Sequence, residues 1–115
     1  MKEIKAYIRT WKVEEVVPSL KEAGFHNVIF SLCEGTGGYA TEDDAAPSLR
    51  FHITDKEIVK LELVCKSEHV DRAVKIISEH ARTNNPGDGI VYISNVEKAI
   101  KIKNGEDARD DFYGL

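Results

Sequence analysis

The chain opens on a strict alternation. In EIKAYIRT, Ile4, Ala6 and Ile8 fall on one side of an extended backbone and Lys5, Tyr7 and Arg9 on the other, the period of two that marks a strand with one covered face. KVEEVVPSLKEAG changes the period. Val13, Val16, Val17 and Leu20 recur every three or four residues, which predicts a helix stopped at Gly24. Pro18 interrupts it, because a proline inside a helix removes one backbone bond and crowds the preceding turn. The helix is therefore expected either to start late, with Pro18 in its first turn, or to kink. NVIFSLCE reads as a second strand. KEIVKLELVCK reads as a third, with Ile58, Lys60, Glu62 and Val64 alternating against Val59, Leu61, Leu63 and Cys65. SEHVDRAVKIISEHAR predicts an amphipathic helix with Ser67 as N-cap and a stripe of Val70, Ala73, Val74 and Ile77. GIVYIS is a fourth strand. VEKAIKIKNG begins one more short element, and EDARDDFYGL is an acidic tail.

The elements run strand, helix, strand, then a loop, then strand, helix, strand. A repeated βαβ unit with right-handed crossovers predicts an α+β, ferredoxin-like fold: a four-stranded antiparallel sheet with two helices on one face. The opposite face is left bare, and so large a patch is expected to meet other subunits. At 115 residues the chain reads as one domain, residues 1–115. The connection between the halves, about residues 36–55, is far longer than the usual 4–6 residues of a loop, which leaves two readings, a disordered insert or a binding or switch loop, with length favouring the second. Three glycines, the acids Glu42, Asp43 and Asp44, and a proline dominate this stretch from Gly35 onward.

Composition adds mainly exclusions. A net charge of −4 argues against nucleic acid as a partner. No apolar run approaches a membrane span, and the charged opening MKEIKAYIRTWKVEE has no signal-peptide core, so a cytoplasmic location is expected. Cys33 and Cys65 lie in apolar stretches and read as small buried hydrophobes. His26, His52, His69 and His80 share no zinc-type spacing, and no metal site is expected. Nothing resembles an activated nucleophile.

Two glycine-rich segments carry candidate chemistry. GTGG, with Gly35, Gly37 and Gly38, exposes backbone N–H groups that suit a phosphate. TNNPGDGIVYI places Gly87, Asp88 and Gly89 directly before a strand. Glycine there lets the backbone approach a ligand, while the aspartate braces the turn.

Taken together, MKEIKAYIRTWKVEEV, EGTGG, VKLELVC, ARTNNPGDGIVYIS and VEKAIKIKNGE resemble the PII signal-transduction family along nearly the whole chain. The resemblance implies a homotrimer with three adenine-nucleotide clefts between neighbouring subunits. It also implies a long loop that reports the bound ligand to a membrane transporter or metabolic enzyme, which would recruit the protein to the membrane when the partner is a transporter. By the same resemblance, Ile29 and Val64 would hold the adenine, with Glu62 nearby and Asn27 and Val28 beside the ribose. Gly87, Asp88 and Gly89 would face the phosphates. Lys101 and Lys103, two apart on one face of a strand, would reach them from the neighbouring subunit. The loop residues offered to a partner are Tyr39, Glu42, Asp43, Asp44, Arg50 and Phe51, followed at the far end of the chain by a tail at about 104–115. No cofactor is obligatory; the nucleotide acts as an effector.

The departures point one way. ATP-binding members usually have lysine where this chain has Ile90, and arginine at Lys101 and Lys103. Arg-Gln, which helps hold magnesium and 2-oxoglutarate, is replaced by Gly38-Tyr39. A loop-base lysine is replaced by Ile58, and a modifiable tyrosine by Phe51. Fewer phosphate-facing cations predict ADP, AMP or cyclic AMP over ATP, without a 2-oxoglutarate response. Two other readings stay open: a trimer of this shape with no nucleotide role, as in carbon uptake or metal tolerance, and a slow nucleotide hydrolase using Asp88 and Glu62.

Overall fold

In the computed structural model, which describes residues 1–39, 46–47 and 54–109, the strands are β1 (Lys2–Arg9), β2 (Ile29–Gly35), β3 (Ala46–Pro47), β4 (Thr54–Cys65) and β5 (Ile90–Asn95). The helices are α1 (Val13–Glu22) and α2 (Val70–Ala81). The main sheet runs β2-β4-β1-β5, and every pairing is antiparallel. With α1 and α2 on one face, this is the ferredoxin-like double βαβ arrangement. The short β3 pairs with the start of β4, Ala46 opposite Asp55 and Pro47 opposite Thr54, so the inter-half connection holds a strand of its own.

The alternation of β1 and β4 builds the core. Ile4, Ala6 and Ile8 are buried with Val59, Leu61, Leu63 and Cys65 beneath Val16, Val17, Leu20, Val70, Ala73, Ile77 and Ala81. Burial also pushes the Cys65 thiol above its ordinary value. Cys33, expected inside, is only half-buried, because it lies on the edge strand opposite Ile58 on the face without helices.

Two helix expectations are corrected. α1 begins at Val13 and continues through Pro18, so the helix does not start late and the proline lies in its interior, not its first turn. Its ring is exposed, and Ser19 Oγ donates to Glu15 O at 2.8 Å beside it. Ser67 is not the cap of α2. It starts a 3-10 turn, Ser67–His69, and α2 follows from His69 with no side-chain cap.

Both edges of the sheet remain apolar and open. On β2, Ile29, Phe30 and Leu32 are 68%, 54% and 63% exposed, and on β5 Ile90 and Ile93 are 45% and 50% exposed. Phe30 and Leu32 lie opposite Leu61 and Val59, so they point to the helix side, where they line an open cavity with Val13, Val17 and Pro18 of α1.

Candidate functional site

Past the end of α2 the chain folds around one carboxylate. Asp88 Oδ2 accepts the backbone N–H groups of Thr83 and Asn84 at 2.8 and 2.9 Å. Its Oδ1 accepts the Thr83 hydroxyl and Arg9 Nε at 3.2 Å. Arg9 Nη2 also donates to Pro86 O at 2.9 Å. Burial pushes the Asp88 carboxyl up, but the donors from Thr83, Arg9 and Asn84 outweigh it and hold the carboxyl at about 2. The brace expected of Asp88 is therefore present, and its oxygens point into the turn. Gly87 and Gly89 take φ of 93° and 109°, conformations that suit glycine.

Gly89 has a second reason to be glycine. A Cβ there would fall 1.7 Å from Tyr7 O, so it is the β1 backbone that comes close. The same close approach leads directly into β5, where Ile90 lies opposite Tyr7. A cavity of about 340 Å³ beside the turn is lined by Tyr7, Ile8, Arg82, Asp88, Gly89 and Ile90, among others.

Arg9 and Arg82 were missed by sequence reasoning. Arg9 lies on the side of β1 away from the helices, yet it is 8% exposed, and its bond to Asp88, 79 residues away, gives it a role that no local pattern reveals. Arg82 Nε is turned back to Ser78 O at 3.0 Å.

The beginning of the long loop lies at the same end of the sheet. Gly35 ends β2 opposite Lys56, and a Cβ on it would meet Tyr39 Cβ at 2.8 Å and Ile58 Cδ1 at 3.1 Å. Gly37 and Gly38 form a 3-10 turn with Tyr39 and face open space. Tyr39 folds back onto the sheet, its ring edge-on to Tyr7 at 5.4 Å and its hydroxyl bonded to that of Tyr92. Glu42, Asp43, Asp44, Arg50 and Phe51 lie outside the described residues.

The expected base-binding set is brought together elsewhere. Asn27, Val28, Ile29, Glu62 and Val64 line one cavity of about 450 Å³ with Glu3, His26 and Leu63. Ile29 lies opposite Glu62, and Glu62 opposite Lys5. Lys60 Nζ pairs with Glu62 Oε1 at 3.1 Å.

Lys101 and Lys103 do not share a strand face. Residues 102–104 are a turn, closed by Gly105 N donating to Lys101 O at 2.8 Å and Lys101 N donating to Glu106 O at 2.8 Å. Ile100 and Asp107 form an isolated bridge. The alternation Lys-Ile-Lys mimics a strand, but Ile102 is wholly exposed and nothing pairs beside it to make a sheet among the described residues. This segment leaves β5 at the end where Val96 N donates to Met1 O, the same end as the Ile29 and Val64 cavity.

The candidate residues thus fall into two groups. Gly35, Gly37, Gly38, Gly87, Asp88 and Gly89 are at one end of the sheet. Asn27, Val28, Ile29, Glu62 and Val64 are at the other, the end at which the chain leaves β5 toward Lys101 and Lys103. From Ile29 to Gly35 is six positions along β2, about 20 Å, and β2 and β5 are opposite edges, about 14 Å apart at the usual strand spacing. Among the described residues, no group of three or more His, Cys, Asp or Glu side chains is placed to hold a metal ion, and no helix is long and apolar enough to cross a membrane.

Fold and turn together define a ferredoxin-like α+β domain with a carboxylate-braced glycine turn leading into an edge strand. A family model described as Nitrogen regulatory protein P-II matches residues 1–106. Among curated relatives, the Nitrogen regulatory protein P-II of Bradyrhizobium diazoefficiens is 32% identical over 110 residues, covering 96% of this chain and 98% of that one. Two proteins of Methanothermobacter thermautotrophicus, Nitrogen regulatory protein P-II 1 and P-II 2, are 34% and 36% identical; each match covers at least 95% of both chains. The chain belongs to the PII family of signal-transduction regulators.

Proposed function

We propose that this protein is a homotrimeric PII regulator that binds an adenine nucleotide between neighbouring subunits, favours ADP or AMP over ATP, and controls a transporter or metabolic enzyme through its long loop. The observation that carries this reading is the separation of the two candidate groups to opposite ends of one sheet, with the Gly87–Gly89 turn also on the edge away from Ile29. A single chain cannot close a nucleotide site from them, whereas a second copy can present its glycine turn to the first copy's Ile29 and Val64 cavity. The apolar edges at β2 and β5 supply contact area for such an assembly. On this reading, the backbone N–H groups around Gly87 and Gly89 receive phosphate, Lys101 and Lys103 add charge, and Val64 and Ile29 give the base apolar contact. Asp88 is a brace, its oxygens already accepting four donors and its charge held at ordinary pH, which suits a regulator better than a hydrolase.

The nucleotide preference rests on Ile90. It follows the turn directly and lines its cavity, offering a hydrocarbon where relatives that bind ATP usually have a cation. A charge-assisted contact is worth about 1.5–3 kcal/mol, and the γ-phosphate loses most. Tyr39, held by Tyr7 and Tyr92, replaces the glutamine that serves magnesium and 2-oxoglutarate in the family. Calorimetric titration with ATP, ADP, AMP and cyclic AMP, with and without magnesium and 2-oxoglutarate, tests this. ADP or AMP should bind more tightly than ATP, with no effect of 2-oxoglutarate; tight Mg-ATP binding improved by 2-oxoglutarate would overturn it. Ile90→Lys should raise ATP affinity about tenfold or more, the factor one such contact is worth, and change AMP affinity little.

A further inference from the structure

Three tyrosines from three distant parts of the sequence meet on the bare face of the sheet. Tyr7 belongs to β1 and Tyr92 to β5, their rings edge-on at 6.1 Å. Tyr39 comes from the start of the long loop and closes the group through its ring contact with Tyr7 and its hydroxyl bond to Tyr92. The backbone is shaped for this packing, since Gly35 leaves room beside Tyr39 Cβ that an alanine would fill. The hydroxyl bond to Tyr92 also holds the Tyr39 phenol above its ordinary value. Tyr7 and Tyr92 are not neutral anchors. Tyr7 O is the atom against which Gly89 packs, Arg9 two residues on grips Asp88, and Tyr92 is two residues beyond Ile90.

We propose that Tyr39 is a positioning residue that latches the start of the long loop to the strands carrying the Asp88-braced turn, so that the turn's state sets the loop's. The turn sets where β5 begins its pairing with β1, and Tyr7 and Tyr92 ride on those two strands. A shift of the turn relative to β1 moves the two rings apart or together and changes how well Tyr39 seats. A ligand at the turn reaches the loop through this contact only to the extent that it binds one seating better than the other. The ligand part of this inference rests on the nucleotide reading above; the latch itself does not.

Amide hydrogen exchange resolved by residue separates the two. The Tyr39 amide donates to Thr36 O at 3.2 Å and reports the loop start, whereas the Thr83 and Asn84 amides, held by Asp88, report the turn. Without nucleotide, Tyr92→Phe should speed exchange at Tyr39 about fivefold, the factor of one net hydrogen bond, and leave global stability nearly unchanged. Tyr39→Phe should do the same, and the double variant no more than either single one, because all three remove one bond. Gly35→Ala, which crowds Tyr39 from the other side, should release it too. Unchanged exchange at Tyr39 in Tyr92→Phe would overturn the latch. With ADP added, the wild type should respond at Thr83, Asn84 and Tyr39, while Tyr92→Phe should respond at the turn alone. An equal Tyr39 response in both would also overturn the latch. ADP without effect at any amide would overturn the nucleotide reading instead, and the latch would be decided by the exchange measured without nucleotide.

Discussion

Asp88→Ala is expected to destabilise the protein by about 3 kcal/mol and to abolish binding at the turn. Removing one partner of a buried, hydrogen-bonded charge pair costs up to about 3–5 kcal/mol; the lower figure applies because the Asp88 side chain is 23% exposed and Arg9 keeps its bond to Pro86 O. The loss has two parts. Arg9 is left with an enclosed guanidinium, and the Thr83 and Asn84 N–H groups lose their acceptor. Arg9→Ala should cost less, since Asp88 keeps three of its donors and gains water. The double variant should cost clearly less than the sum, because both remove the same contact. Chemical denaturation of the four proteins measures this cycle, and strict additivity would show that the pair is not coupled.

The same carboxylate sets an acid limit. Its folded-state value, about 2, lies below the ordinary aspartate value of about 3.9. A depressed folded value contributes stability that is present above the unfolded value and is lost as pH falls through the folded one. The wild type should therefore lose about 2 kcal/mol from this group between about pH 4 and pH 2. Asp88→Asn, weaker throughout, should lack that component of the acid slope.

Gly89→Ala is the second large effect. A Cβ 1.7 Å from Tyr7 O cannot be accommodated by a side-chain rotation, because the obstacle is the backbone of the central strand β1. The φ of 109° adds strain for any L side chain. β5 would have to separate from β1 at its first pair, and we expect a cost of about 4 kcal/mol or more, enough to lower the melting temperature by well over ten degrees. Gly37→Ala is the control. It also has a positive φ, 63°, but a Cβ there meets nothing within 4 Å, so the cost should be about 1 kcal/mol. Similar melting temperatures for the two variants would contradict this account of the turn.

These two residues also show where the sequence was legible and where it was not. The period-two pattern of Ile4, Ala6 and Ile8 and the helical spacing of Val16, Val17 and Leu20 report burial directly, because one covered face imposes the period. The succession of elements along the chain and the fold class followed from such local signals. Gly89 was read as making room for a ligand, but glycine in sequence says only that something comes close, and here β1 does. Arg9 was placed only on the face of β1 opposite Ile4, Ala6 and Ile8; a buried ion pair leaves no periodic trace. Lys101 and Lys103 were placed on a strand because spacing of two is ambiguous, and the turn closed by Gly105 decided otherwise. The tyrosine cluster joins positions 7, 39 and 92, which no window along the chain can connect. The resemblance implied a site shared between neighbouring subunits, and the fold places its glycine turn and its base cavity at two ends of the sheet.

That division is tested most directly by mixing two defective chains. Gly87→Val blocks the turn and Val64→Arg blocks the base cavity, so neither protein alone should bind ADP. Refolded together at equal amounts, they should recover about one quarter of the wild-type ADP capacity in a calorimetric titration, since random trimers of two kinds hold one intact cleft wherever both are present. Binding by either variant alone at wild-type strength, or no recovery on mixing while the wild type binds, would contradict a site completed by a second copy.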